Sequence, residues 1–331
     1  MSTTPRVKIW GCRGSIPTPL SSASVRSKVK RALAAAEGRV FGSSEAIDAF
    51  MDELPFDVCH TYGGNTSCVE VQLGSPDDYL ICDAGSGLRS FSEEFMKSGR
   101  AQKPATFHIL MSHFHWDHIQ GLPFFVPAYI PGNRIIFHGF HDEMERLFRA
   151  QMDDLWFPID FSSFNAEIVF EHLSEEDVLE IGPFVISFME QNHPGKSYGF
   201  RFEGPGGCFV YSTDCEHKIG DATVSNPFVS FYSGADTLIF DAQYTLEDNI
   251  VSKQNWGHSN SVVAVDLALL SRVKYLVIFH HEPTNSDEVL TDYLQRTCAY
   301  CEATQVRMRN EGKLTEPLRI SLAFDGMEIG I

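Results

Sequence analysis

The sequence predicts a mixed α/β protein whose chemistry gathers where strands end, and three observations carry that expectation. Short apolar or β-branched runs recur along the chain and stop at loops rich in Gly, Pro, Asn or Asp, as buried strands do when they open into turns. Capped helix-forming segments alternate with them. Five of the runs are followed at once by histidine or aspartate: YLIC by Asp83, FHILMS by His113, FVISFMEQN by His193, CFVYST by Asp214, and KYLVIF by His280 and His281. Polar groups at strand ends in α/β proteins line one rim.

Taken in order, RVKIWGCRGSIPTP (6–19) reads as a first strand with a Gly/Pro turn, and HTYGGNTSCVEVQLG (60–74) resumes the strand pattern around a turn at Gly63, Gly64 and Asn65. Residues 20–60 form a helical insertion between them. Its first half, SVRSKVKRALAAAEGR, is a good helix former ended by Gly38; its second, SSEAIDAFMDEL, has a serine cap and Ile47, Phe50, Met51 and Leu54 at helical spacing. Arg26, Lys28, Lys30 and Arg31 form a basic cluster there, read as a solvated face. In HDEMERLFRAQM, residues Met144, Leu147, Phe148 and Met152 make one apolar face. Trp156, Phe157, Phe161 and the preceding LPFFVPAY fit either a pocket wall or the core. DEVLTDYLQRTCAYCEA is an amphipathic helix, so Cys298 and Cys301 of its CxxC read as packing residues.

The most telling stretch is HFHWDH, residues 113–118. Imidazole and carboxylate are common ligands of divalent transition metals, and HxHxDH spacing can divide its side chains between two adjacent ions. His113, His115, Asp117 and His118 would then need partners, which the other strand ends supply.

HFHWDH, the ICDAGSG around Asp83, the QNHPG around His193, the STD ending at Asp214 and the terminal FHH together resemble the metallo-β-lactamase superfamily. Within it, residues 238–283 are similar to the ribonuclease Z and phosphodiesterase branch, through Asp241 in DAQY, the GHS at 257–259 with VVAVDLALL behind it, and a final histidine. The likeness spans residues 6–290 apart from the insertion. It implies one domain over residues 1–331, a four-layer αβ/βα sandwich with the helical insertion at 20–60 and a metal cleft between its sheets. It implies two divalent ions, zinc by default with manganese or iron as alternatives: His113, His115 and His193 on one, Asp117, His118 and the last histidine on the other, Asp214 bridging. His280 at the strand end is preferred to His281 as that last ligand. Asp83 is expected behind the ligands, fixing an imidazole tautomer. Cys215 is an alternative ligand beside Asp214, expected instead to point away.

The same likeness places His258 as general acid, oriented by Asp241, with Asp117 contributing ligand charge. A neighbour of the helix cap, supplied by Ser259 or Ser261, is the other reading of His258. Arg201, in YGFRFEG soon after His193, is a candidate phosphate fork, or faces solvent. The insertion leaves and rejoins beside glycine turns that the family sets near its cleft, so it is a lid candidate; a solvated helical pair or a dimer contact fits nearly as well.

Charge narrows the substrate. With 44 acidic against 26 basic residues the net charge is −18, and no long basic segment offers to neutralise a nucleic-acid backbone. Nor does the stretch from His193 to Asp214 leave room for the RNA-gripping arm common in ribonuclease Z proteins. A small phosphodiester, such as a cyclic nucleotide or cyclic phosphate, is therefore the expected substrate, without long nucleic acid or membrane as partner and with a homodimer suggested on family grounds. Lactone, β-lactam or thioester hydrolysis, or a metal-bearing sensory module, are the alternatives. No apolar run reaches the length of about 18 that spans a bilayer, and the N-terminus has no signal-like apolar core. A cytoplasmic protein with its eight cysteines reduced is expected.

Overall fold

A computed structural model of the chain describes residues 6–247, 253, 255–313 and 316–330. Among these, β1 (Arg6–Gly11), β2 (Cys68–Val71), β3 (Asp78–Cys82), β4 (Thr106–Leu110), β5 (Arg134–Gly139), β6 (Glu167–His172) and β14 (Glu328–Gly330) form one sheet, in the order β14-β1-β2-β3-β4-β5-β6. The other contains β7 (Leu179–Ile181), β8 (Phe184–Gln191), β9 (Ser197–Gly204), β10 (Gly207–Ser212), β11 (Thr237–Asp241), β12 (Tyr275–Phe279) and β13 (Arg319–Leu322), in the order β13-β12-β11-β10-β9-β8-β7. Each sheet is half parallel and half antiparallel: β3 to β6 and β10 to β13 run parallel, and the remaining pairs are antiparallel.

Parallel strands buried on both faces should read as unbroken apolar runs. β11 (TLIFD) and β12 (YLVIF) are buried at every position. Val7, Val69, Leu80, Leu110, Phe200, Phe209, Tyr211, Val277 and Phe279 fill the space between the sheets.

The insertion folds as α1 (Ser22–Ala35) and α2 (Ser44–Glu53), followed by the short α3 (Phe56–Cys59). Ser21 and Ser43 cap the first two through their hydroxyls, as the serine-rich starts require. α1 buries no residue and docks through charge. Lys28 Nζ lies 2.6 Å from Asp57 O, 2.8 Å from His60 O and 2.7 Å from the Asp287 carboxylate, while Arg31 meets Asp57 and Glu288. The expected solvated basic face is thus corrected for these two residues, because the buried carboxylates of Asp57 and Asp287 need charge partners. Val25, Val29 and Leu33 face outward instead.

α4 (Gly87–Lys97), α5 (Trp116–Ile119) and α6 (Met144–Ala150) cover the outer face of the first sheet through Leu88, Phe91, Ile119 and Phe148. α7 (Pro227–Phe231), α8 (Ser261–Leu270) and α9 (Asp287–Asn310) cover the second through Phe231, Val265, Leu269 and Leu290. Helix, sheet, sheet, helix is the expected four-layer order. Phe161 joins the core and Phe157 packs against it, whereas Trp156 stays exposed. Cys301 is buried in α9, and all eight cysteines are free thiols. No helix among the described residues is long and apolar enough to cross a membrane.

Candidate metal centre

The C-terminal ends of the parallel strands from both sheets meet at one rim. Asp83 follows β3, His113 and the rest of HFHWDH follow β4, Asp214 follows β10, Asp241 ends β11 and His280 follows β12. Asp83, Asp214 and His280 have φ of 61°, 30° and 61°, a left-handed region that side-chain-bearing residues seldom enter. The turn swings each side chain off its strand and into the cleft. Hydrogen bonds hold Asp83 in that turn: its carboxylate accepts from the Ser112 N–H, the Ser112 hydroxyl, the Tyr211 hydroxyl and His118 Nδ1, each at 2.8 Å.

Ligand atoms converge in two groups that share one carboxylate. His113 Nε2 and His193 Nε2 lie 3.1 and 3.0 Å from His115 Nδ1, and Asp214 Oδ2 lies 3.5 and 3.7 Å from the first two. Asp214 Oδ1 faces the other way, 3.2 Å from His118 Nε2 and 3.4 Å from His280 Nε2, with Asp117 Oδ2 3.0 Å from His280 Nε2. The donors fit divalent metal. His118 Nε2 is buried with no hydrogen-bond partner, and three imidazole nitrogens about 3 Å apart cannot satisfy one another by proton sharing alone.

Neighbouring groups set the tautomers that leave these nitrogens bare. His193 Nδ1 donates to Gly257 O at 2.8 Å, and His118 Nδ1 donates to Asp83. Gly257, at φ 88°, must be glycine, because a Cβ there would come within 2.2 Å of His193 Nδ1. Glu216 accepts from the Asn255 and Gly257 N–H groups at 2.9 and 3.1 Å and so secures that loop.

The two groups differ electrostatically. Burial holds His113 well below the ordinary imidazole range and lowers His115 and His193 as well, with the other imidazoles adding to the effect. Burial also opposes charge on His118 and His280, but Asp214 and Asp117 outweigh it; His118 is raised well above its usual value and His280 to about 9. Against their own burial, Asp117 and Asp214 are held well below the carboxylate range, by His118 and by His280 respectively.

His258 stands beside the second group. Its Nδ1 lies 2.8 Å from Asp241 Oδ2, and its ring stacks on His280 at 4.9 Å. Although Asp214, Asp241, His258 and His280 are close enough to share a cation, the Nδ1 of His258 is committed to Asp241. The cap of α8 is Asn260, which accepts from the Val262 and Val263 N–H groups, rather than Ser259 or Ser261. Ser259 instead ties Cys215 O to the His217 N–H.

His281 is turned away, with Nε2 2.8 Å from Ala323 O, which leaves His280 in the cleft. Cys215 also points away, its Sγ 3.2 Å from His217 Nε2. Arg201 is a correction: it does not reach the cluster. Its guanidinium is held by the carbonyls of Phe231 and Ser233, at 2.8 and 3.1 Å, and by Glu203, closing the end of α7 where helix carbonyls lack partners. Ser15, Ser112, Tyr211 and Glu216 escaped the sequence reading. Tyr211 alternates inward on β10 and was accessible to a strand-face argument; Ser15, whose N–H donates to Asp117 Oδ2 at 2.7 Å, carries no such signal.

A family model described as a beta-lactamase superfamily domain matches residues 79–281. A ribonuclease Z of Prochlorococcus marinus (strain MIT 9301) is 26% identical over 280 residues, covering 68% of this chain and 86% of that protein. Among solved structures, the metallo-β-lactamase fold protein YhfI of Bacillus subtilis superposes with a TM-score of 0.61 at 17% identity, over 99% of each chain. Unliganded yeast PDE1 gives 0.60 at 14% identity, again over 99% of each. With its sheets, rim and ligand groups, the chain belongs to the beta-lactamase superfamily and is a hydrolase of the metallo-β-lactamase fold.

Proposed function

We propose that this hydrolase holds two divalent ions, zinc by its imidazole-rich donor set, and cleaves a small phosphodiester such as a cyclic nucleotide or cyclic phosphate. The observation that carries the reading is the His258–Asp241 pair, 2.8 Å apart and set against the bridging carboxylate of Asp214. His113, His115 and His193 would hold one ion, Asp117, His118 and His280 the other, and Asp214 both. When bound, such ions supply Lewis acidity to an attacking water and to the charge that grows on phosphorus oxygens. The chain's own residues do the rest. Asp241 keeps the Nδ1 proton on His258, and His258 delivers a proton to the departing alkoxide. Asp83 fixes His118, while the Ser15 N–H steadies Asp117.

Charge and topology support a small substrate. The protein is strongly acidic, and the chain between His193 and Asp214 is occupied by the β9–β10 hairpin, with no projecting arm. The relative named ribonuclease Z acts, by that name, on RNA phosphodiesters, and it is the bond type rather than the polymer that we carry over. The test is turnover by metal-loaded protein on 3′,5′- and 2′,3′-cyclic nucleotides and bis(p-nitrophenyl) phosphate, beside nitrocefin, a lactone and precursor transfer RNA. Hydrolysis confined to the lactone or nitrocefin would reject the phosphodiester, and efficient transfer-RNA processing would reject the small substrate.

A further inference from the structure

Trp116 lies between the ligand residues His115 and Asp117, yet it is 75% exposed. Its backbone is fixed: the His118 N–H donates to His115 O and the Gln120 N–H to Trp116 O, both at 2.9 Å. The indole lines the open cleft together with Ser15, Phe114, Asp214 and His258. Among the described residues the indole makes no hydrogen bond or ring contact; Trp156, 73% exposed, is as bare but lies outside the cleft lining, while exposed Trp256 is covered by Lys253 at 4.1 Å and Trp10 donates to Glu70 at 3.0 Å. A large apolar ring left bare at a fixed place beside reactive groups points to a ligand that covers it.

The rest of the lining says what kind. Among the described residues it contains no lysine or arginine, so no long cationic side chain grips an anionic ester there, and discrimination among esters falls to contacts with the organic group. Indole offers a flat face matched by another flat ring. We propose that Trp116 is the specificity-determining residue, a platform on which a planar aromatic substituent of the phosphoester stacks while its phosphate occupies the metal centre. This rests on the phosphoester reading above and names the organic group that reading leaves open. A nucleobase and a simple aryl ring share the stacking chemistry.

The test measures binding rather than turnover. Calorimetry on metal-loaded protein compares adenosine 5′-monophosphate, phenyl phosphate and ribose 5-phosphate, with wild type, Trp116→Ala, Trp116→Phe and Trp156→Ala, an exposed tryptophan outside the cleft lining. Wild type should prefer the nucleotide over ribose 5-phosphate, and Trp116→Ala should weaken the nucleotide by about 5- to 150-fold, the range of base–aromatic stacking, with far less effect on ribose 5-phosphate. Trp116→Phe should retain most of the preference and Trp156→Ala all of it. Equal preference for phenyl phosphate identifies a general aryl site; preference for the nucleotide alone identifies a nucleobase site. Equal weakening of all three ligands by Trp116→Ala, no weakening, or no binding by wild type would overturn the proposal. A binding preference without hydrolysis of any diester would leave the platform standing and reject the phosphodiesterase reading.

Discussion

Asp214 places one oxygen toward each ligand group, so a single carboxylate is common to both. Asp214→Ala should therefore lose at least one metal equivalent by elemental analysis and several orders of magnitude in turnover; full activity would refute a two-metal centre. His258 differs in kind. His258→Ala should keep its metal and lower turnover by roughly 10²- to 10⁴-fold on diesters with poor leaving groups, but much less on p-nitrophenyl esters, which depart without a proton. Equal losses on both would make His258 a positioning residue. The convergence of these side chains was legible because clustered histidine and aspartate at strand ends have few structural uses. Arg201 was misleading for the opposite reason: its partners at 231 and 233 lie about thirty positions away, and sequence does not display which carbonyls end beside a given strand.

At the scale of elements, the strands, helices and site-bearing strand ends were legible from periodicity and caps, but the backbone conformation at those ends was not. The left-handed turns at Asp83, Asp214 and His280 break the alternation that reveals a strand, and only the folded rim shows why they are tolerated. The docking of α1 through Lys28 and Arg31 was hidden likewise, since their acceptor carboxylates, Asp287 for the first and Asp57 and Glu288 for the second, lie outside the helix. Another turn carries a pH prediction. Asp325, between β13 and β14, accepts from the N–H groups of Gly64 and Asn65 at 3.1 and 3.0 Å, and burial raises its carboxyl to about 6. A carboxyl raised above its unfolded value contributes stability that is fully present below about pH 4 and lost as pH climbs through about 6. Asp325→Asn removes that loss. Between pH 4 and 7.5 the unfolding free energy of the variant should therefore gain on wild type, by on the order of 2 kcal/mol. Parallel denaturant curves across that window would refute the assignment.

For the whole molecule, the acidic surface should leave binding of the small ester only weakly dependent on salt. A long RNA ligand would instead show a slope of about −0.7 per phosphate contact in log K against log salt, and a steep slope would count against the small substrate. Composition made that expectation available before any fold was known. The pairing order of the sheets was not available, because residues 6–11 and 328–330 join at one edge across the full chain and no local pattern announces so distant a register.

Because one face of the cleft is built on the first sheet, with His113, His115, Asp117 and His118, and the other on the second, with His193, Asp214 and His280, any ion held there is also a rivet between two slabs. Ligand binding to the folded state alone adds stability by mass action. Chelation should then lower the thermal midpoint and speed amide exchange first at the loops after β4, β10 and β12, while strand interiors remain protected. If stripping the metal changed activity but neither melting nor exchange, the sheets would hold together without the rivet. If both shift, the centre that performs the chemistry also clamps the halves of the molecule shut, and a chain starved of metal would loosen at its cleft as it lost its activity.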